Sequence, residues 1–170
     1  IKGLTIYRVL YFLPAVTMPT AVAMVWKWMY NKEFGILNQF LSNFEVESRA
    51  WLSDPKTALY AIILVAIWSN IGYNMVILLA GLQGIPKMYY EAAKIDGAGP
   101  FTCFFKITLP LLSPSLFFFT VMSFISSFQI FDLVFMMVTR TNPAFESSMT
   151  IVYFFYTNAF QMSERGYAAA

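Results

Sequence analysis

Long apolar runs alternate with short polar islands along this chain. No charged residue occurs from Thr57 to Pro86 or from Leu109 to Phe131, and a further apolar run covers Val9 to Tyr30. About 20 helical residues at a rise of about 1.5 Å each cross a hydrocarbon core of about 30 Å. The pattern predicts spanning helices over 9–30, 57–82 and 113–138, joined by polar segments over 31–56, 84–112 and 139–165. The expected fold is all-α, a polytopic membrane helical bundle forming one transmembrane domain over 1–170. Pro14 and Pro19 predict a kink in the first run, which membrane helices tolerate when neighbours satisfy the freed carbonyls. Trp26, Lys27, Trp28 and Tyr30 resemble an interfacial aromatic belt with a snorkelling lysine.

Polar positions inside the runs are the candidate chemistry. Asn70, Tyr73 and Asn74 fall at i, i+3 and i+4, on one helix face. Polar groups at that depth face a bundle interior, either lining a path for a hydroxylated solute or joining helix to helix. Ser123, Ser126, Gln129 and Asp132 step through the third run every three residues. Asp132 is the sole carboxylate in any of these runs, which marks it as a functional candidate, either on a solute path or paired with another charge. The segment over 31–56 predicts an extramembrane loop with a short helix near Leu37–Phe44, either docking a partner or serving as a solvated connector. After the turn-like Arg140-Thr141-Asn142-Pro143, Glu146-Ser147-Ser148 predict the cap of a short interfacial helix through Met149 to Phe160.

The most informative island is Glu91-Ala92-Ala93-Lys94-Ile95-Asp96-Gly97, followed by Ile107-Thr108-Leu109-Pro110. Pro86 suits the first helical position. Met88, Ala92 and Ile95 then form one narrow apolar stripe. Gly97 stops the helix in the left-handed conformation. Gly99-Pro100 gives a second break, and Leu109-Pro110 and Ser113-Pro114 re-aim the chain into the next run. Two short helices at a corner are expected, one of them presenting Glu91, Lys94 and Asp96 outside the membrane.

Glu91-Ala92-Ala93, Gly97, Ile107 and Leu109-Pro110 stand at the spacing of the EAA signature, and the island resembles that of binding-protein-dependent ABC importer permeases. The context Gly84-Ile85-Pro86 and the run to Ala98 are similar to the carbohydrate-uptake branch, the relatives of the maltose permease. Gly35-Ile36-Leu37-Asn38 also resembles a loop motif of those permeases. Where the family shows a Thr-Gly-Gly-Pro-like turn before its last helix, this chain has Thr141-Asn142-Pro143.

The resemblance implies a type I importer permease of about three full spans, a cytoplasmic coupling helix and an interfacial helix, in the inner membrane of a prokaryote. It implies that Glu91, Ala92, Ala93, Asp96, Gly97, Ile107, Leu109 and Pro110 couple to a cytoplasmic ATP-binding subunit. The implied partners are those subunits, a second permease subunit, an extracytoplasmic solute-binding protein and membrane lipid. ATP and Mg would be bound by the ATPase, with no cofactor in this chain. Asn70, Tyr73, Asn74, Gln129 and Asp132 are the candidates for the solute path. The expected solute is a sugar, an oligosaccharide or a glycerol-phosphate-like polyol.

Composition narrows the alternatives. The chain is 59% hydrophobic and only 12% charged, against about 25% charged in soluble domains. A net charge of +2 and the absence of a basic cluster argue against nucleic acid. Without His and with Cys103 alone, a His/Cys metal site, a Ser-His-Asp triad and an intrachain disulfide are excluded. Cys103 itself reads as a small core residue. No GxxxxGK[ST] phosphate loop occurs, so ATP hydrolysis falls to a partner. No catalytic residue is assigned. A start at Ile1 without Met, and an end resembling the opening of the family's last helix, are expected of a fragment of a longer permease.

Charge does not orient the chain. The family topology puts Lys2, Arg8, Lys87, Lys94 and Lys106 inside against Lys32, Arg49, Lys56, Arg140 and Arg165 outside, a tie. Three rival readings carry different machinery: a permease for a non-sugar solute, an intramembrane enzyme built on Asp132, and an ATPase-independent channel or structural subunit. The enzyme would need a second acid or base beside Asp132.

Overall fold

A computed structural model describes residues 4–169, so Lys2 of the charge comparison lies outside the described residues. Every described element is helical. The organising element is α4, Ala58–Gln83, whose 26 residues run about 39 Å at 1.5 Å per residue. Nothing in its sequence breaks it: it has no proline and no charge. At its end the Gly84 N–H donates to the Ala80 carbonyl at 3.2 Å.

The first apolar run is not one kinked rod. It forms α1, Leu4–Val16, and α2, Pro19–Met29, bent 99° from each other. The break falls at Thr17–Met18 because Pro19 opens α2 and forces Met18 into extended backbone, φ −56° and ψ 130°. Pro14 stays inside α1. The freed end of α1 is partly satisfied by the Thr17 hydroxyl, which donates to the Leu13 carbonyl at 2.8 Å. α1 packs along α4, where Tyr11 and Phe12 pass Gly72, and just after α2 the Tyr30 hydroxyl donates to the Ala61 carbonyl at 3.1 Å. Tyr30 is therefore buried rather than part of a surface aromatic belt.

The polar corner also departs from expectation. After α5, Lys87–Ile95, the chain does not make a second short helix and then turn again. Instead α6, Pro100–Cys103, passes through a wide π turn, Phe104–Thr108, into α7, Leu109–Phe128. Together they make one apolar helix of 29 residues, Pro100–Phe128, long enough to cross a membrane. Pro110 and Pro114 do not re-aim it. A proline ring collides with the carbonyl four residues back in α geometry. The widened turn carries that residue, Lys106, and so makes room ahead of Pro110. α7 passes α4 where Ser115 and Leu112 meet Gly81.

The third span stops earlier than predicted. α7 ends at Phe128, and a short α8, Asp132–Met137, follows the break Gln129–Phe131. The carbonyl of Ile130, left without a helical partner, accepts the Thr150 hydroxyl at 2.7 Å. Thr150 also receives the Tyr153 N–H at 3.4 Å as cap of α10, Ile151–Tyr156. That cap replaces the predicted one, since Ser147 and Ser148 instead close the four-residue α9, Phe145–Ser148. A second π turn, Thr157–Gln161, and α11, Arg165–Ala169, complete the described chain.

The core lies around the N-terminal half of α4. Ala61, Ile62 and Val65 pack with Val22 and Ala23 of α2, Val134 and Met137 of α8, Phe145 and Tyr153. Above it, the segment after α2 folds into a cap that contains α3, Ile36–Ser42.

Candidate functional site

Two places gather the residues singled out from the sequence. The first is the corner around α5. Pro86 stands one position before its predicted place, as N-cap in extended conformation, and Lys87 begins the helix. Gly97 ends it with φ +72°. The Ala98 N–H donates to Ala93 at 2.9 Å and the Gly97 N–H to Lys94 at 3.1 Å. This is the paired bond pattern of a Schellman stop.

The inner face of α5 is narrow. Ala93, 9% exposed, is its buried residue, and Tyr90 is half-buried one turn away. The apolar stripe predicted from spacing points the other way: Met88 is 66% exposed and Ile95 87%, while nearby Phe101 is 82% exposed. Glu91, Ala92, Lys94 and Asp96 are exposed with them. Ile107 is half-buried, whereas Leu109 and Pro110 are exposed at the start of α7. A short helix that shows apolar side chains and charges on one face, with few contacts of its own, has the make-up of a docking surface.

The second place is a cavity of about 260 Å³ beside the middle of α4. It lies where the two broken helices come level: Thr17 and Pro19 from the α1–α2 break, Ser69 and Asn70 from α4, and Gln129, Phe131 and Asp132 from the α7–α8 break. Asp132 is thus not the fourth step of a stripe on a continuous span; it opens the first turn of α8. A carboxylate is favourable there because the helix N-terminus is partially positive. The Asn70 amide donates to the Ala66 carbonyl at 2.8 Å, which leaves its oxygen available. Ser69 Oγ is buried without a hydrogen-bond partner among the described residues.

The structure therefore brings Asn70, Gln129 and Asp132 together. It does not bring Tyr73 or Asn74 to the same cavity, and Tyr73 is exposed elsewhere on α4. Sequence spacing missed Thr17 and Ser69. Thr17 was legible as the residue flanked by Pro14 and Pro19, and Ser69 only as the neighbour of Asn70. Hydroxyl, amide and carboxylate groups beside the Phe131 ring suit a hydroxyl-bearing solute with an apolar face. Among the described residues no group of three or more His, Cys, Asp or Glu is placed to hold a metal ion.

The profile of the family described as "binding-protein-dependent transport system inner membrane component" matches residues 3–169. The probable ABC transporter permease protein YesP of Bacillus subtilis is 36% identical over 99% of this chain and 55% of its own. The trehalose/maltose transport system permease protein MalF of Thermococcus litoralis is 34% identical over 93% of this chain and 54% of its own. This chain thus spans about half the length of these relatives. A bacterial ABC transporter involved in the import of the acidic polysaccharide alginate shares the fold. Its TM-score is 0.85 at 23% identity, over 98% of this chain and 58% of that one.

Proposed function

Because this chain belongs to the family of inner membrane components of binding-protein-dependent transport systems, we propose that it forms part of the translocation path of an ABC importer for a sugar or related polyol or glycerol-phosphate solute. In this reading α5 docks on a cytoplasmic ATP-binding subunit, which binds ATP and Mg. A second permease subunit completes the path, and an extracytoplasmic binding protein delivers the solute. The chain is itself a transport component rather than the ATPase.

The observation that carries this reading is the exposure of Met88 and Ile95 on the outer face of α5. Burying two such side chains in a partner groove stabilises a complex by about 1.5–3 kcal/mol each. Glu91 supplies an anchoring carboxylate, Ala92 permits close approach, and Gly97 makes the turn. Closure of the ATPase dimer would move α5, and the attached α4 and α7 would tilt about the cavity. ATP supplies the bias by binding one arrangement more tightly than the other. Relatives named for trehalose/maltose transport support the sugar assignment.

Co-purification tests it. Ile95→Asp in the complete protein should reduce recovery of ATP-hydrolysing subunits at least about tenfold, the loss of about 1.4 kcal/mol or more, with membrane insertion unchanged. Full recovery of the hydrolytic partner would overturn the docking assignment. Asp132 favours a second reading, a solute bearing an amino group, because a carboxylate beside the cavity attracts a cation. Competition of uptake by sugars against amino acids separates the two.

A further inference from the structure

The inner face of α5 is tied to the long helix by one polar contact. The Tyr90 hydroxyl lies 2.9 Å from Thr108 Oγ1, although the two residues are 18 apart in sequence. Thr108 is the last residue of the π turn Phe104–Thr108, and its hydroxyl donates to the Cys103 carbonyl at 3.4 Å. Its single hydrogen serves one of these two contacts at a time. Either hydroxyl can donate in the 2.9 Å contact, and when Tyr90 does, Thr108 is free to donate on to the Cys103 carbonyl. That carbonyl stands at the entry of the π turn and Thr108 at its end, so the Tyr90–Thr108 contact ties the turn to α5.

The contact matters because little else holds α5. It makes no broad packing surface against another helix among the described residues. Ala93 is its buried side chain, and the chain leaves it through Asp96–Gly99, whose glycines carry no side chain to stiffen the turn. Movement of α5 reaches the long helix either through that soft turn or through Tyr90. A π turn is a widened turn inside a helix, frequent at functional sites, and its spare residue gives the helix a place to yield.

Resting on the docking reading above, we propose that Tyr90 is a positioning residue for energy coupling. Its hydroxyl grips Thr108 and thereby holds the π turn, so that displacement of α5 moves α7 as a unit. Without the grip, the Asp96–Gly99 turn and the π turn absorb the displacement. ATP is then hydrolysed with less solute moved.

The test uses the complete importer in proteoliposomes, comparing Tyr90→Phe, Thr108→Val, the double variant and Thr108→Ser. The readout is solute transported per ATP hydrolysed, normalised to assembled complex. Tyr90→Phe and Thr108→Val should each lower the ratio about fivefold, the scale of one neutral hydrogen bond. The double variant should fall no further than either single one, since both remove the same contact. Thr108→Ser keeps the hydroxyl and should keep the ratio. An unchanged ratio in Tyr90→Phe, additive losses in the double variant, or losses explained by less assembled complex would each overturn the proposal. ATPase recovery is scored in parallel. Recovery insensitive to Ile95→Asp sinks the docking reading, whereas normal docking with an unchanged ratio sinks the Tyr90 grip alone.

Discussion

Asn38 Oδ1 accepts the indole N–H of Trp51 at 2.9 Å, across 13 residues of sequence. The same oxygen accepts the Arg49 N–H at 3.2 Å. The amide nitrogen faces the carbonyls of Asn31, Lys32 and Arg49 at 3.2, 3.2 and 2.9 Å. One side chain, 3% exposed, thus fastens both ends of the cap. The segment over 31–56 is folded around this side chain, although most of its residues are exposed.

Asn38→Ala should destabilise the protein by about 3 kcal/mol, because buried partners are left unpaired. Asn38→Asp keeps the volume and the acceptor but sets an oxygen against three carbonyls, so it should be at least as harmful. Thermal unfolding of the detergent-solubilised protein measures both. An unchanged melting temperature for Asn38→Asp would remove the hydrogen bonds from the account.

Gly97 offers a different kind of test. A Cβ there would meet nothing within 4 Å, yet φ is +72°. Any effect of substitution is therefore conformational, about 1–2 kcal/mol for ordinary residues and less for asparagine. Transport should fall in the order Gly97→Asn, Gly97→Ala, Gly97→Val, with insertion intact. Equal activity of the asparagine and valine variants would show that the left-handed turn is not what matters.

At Gly72 the limit is steric. A Cβ would lie 2.5 Å from the Tyr11 carbonyl oxygen and 2.7 Å from Phe12 Cα, so backbone must move. At Gly81 the nearest atoms are Ser115 Oγ and Leu112 Cδ1, which can rotate away, and Ser115 Cβ at 2.8 Å, which needs only a small shift of α7. Gly72→Ala should lower stability by about 1–3 kcal/mol, the usual range for overpacking, and Gly81→Ala by less. The reverse order in a thermal-shift comparison would displace α1 from its crossing on α4.

The cavity residues predict a change in affinity rather than assembly. Asn70→Leu and Asp132→Asn should each raise the half-saturating solute concentration for uptake about tenfold, the scale of one hydrogen bond to a polar solute. Recovery of the assembled complex should not change. Uptake curves that overlay the parent's in both variants would take the cavity out of the path.

Much of this architecture was legible where one local rule acts alone. The helix α4 follows from an apolar run with nothing to break it, and the stop at Gly97 from a residue free to take positive φ. The break after Phe128 was not legible, because Phe128, Ile130, Phe131 and Leu133 keep the composition apolar on both sides. It is held by Thr150, 20 residues from Ile130. Pro110 misled for the opposite reason. The proline rule assumes α geometry, and the π turn ahead of it supplies another. The direction of Met88 and Ile95 was hidden as well, since spacing places residues on a common face without saying whether that face is covered. The role of Asn38 depends on chain folding back from Arg49 and Trp51, which no local pattern announces.

The breaks at Thr17–Met18 and Gln129–Phe131 stand at one level, flanking the centre of α4. Crossing elements jointed at a common depth can widen or narrow the bundle at one mouth while the opposite mouth keeps its girth. Remodelling confined to a single end would leave the cap fastened by Asn38 undisturbed.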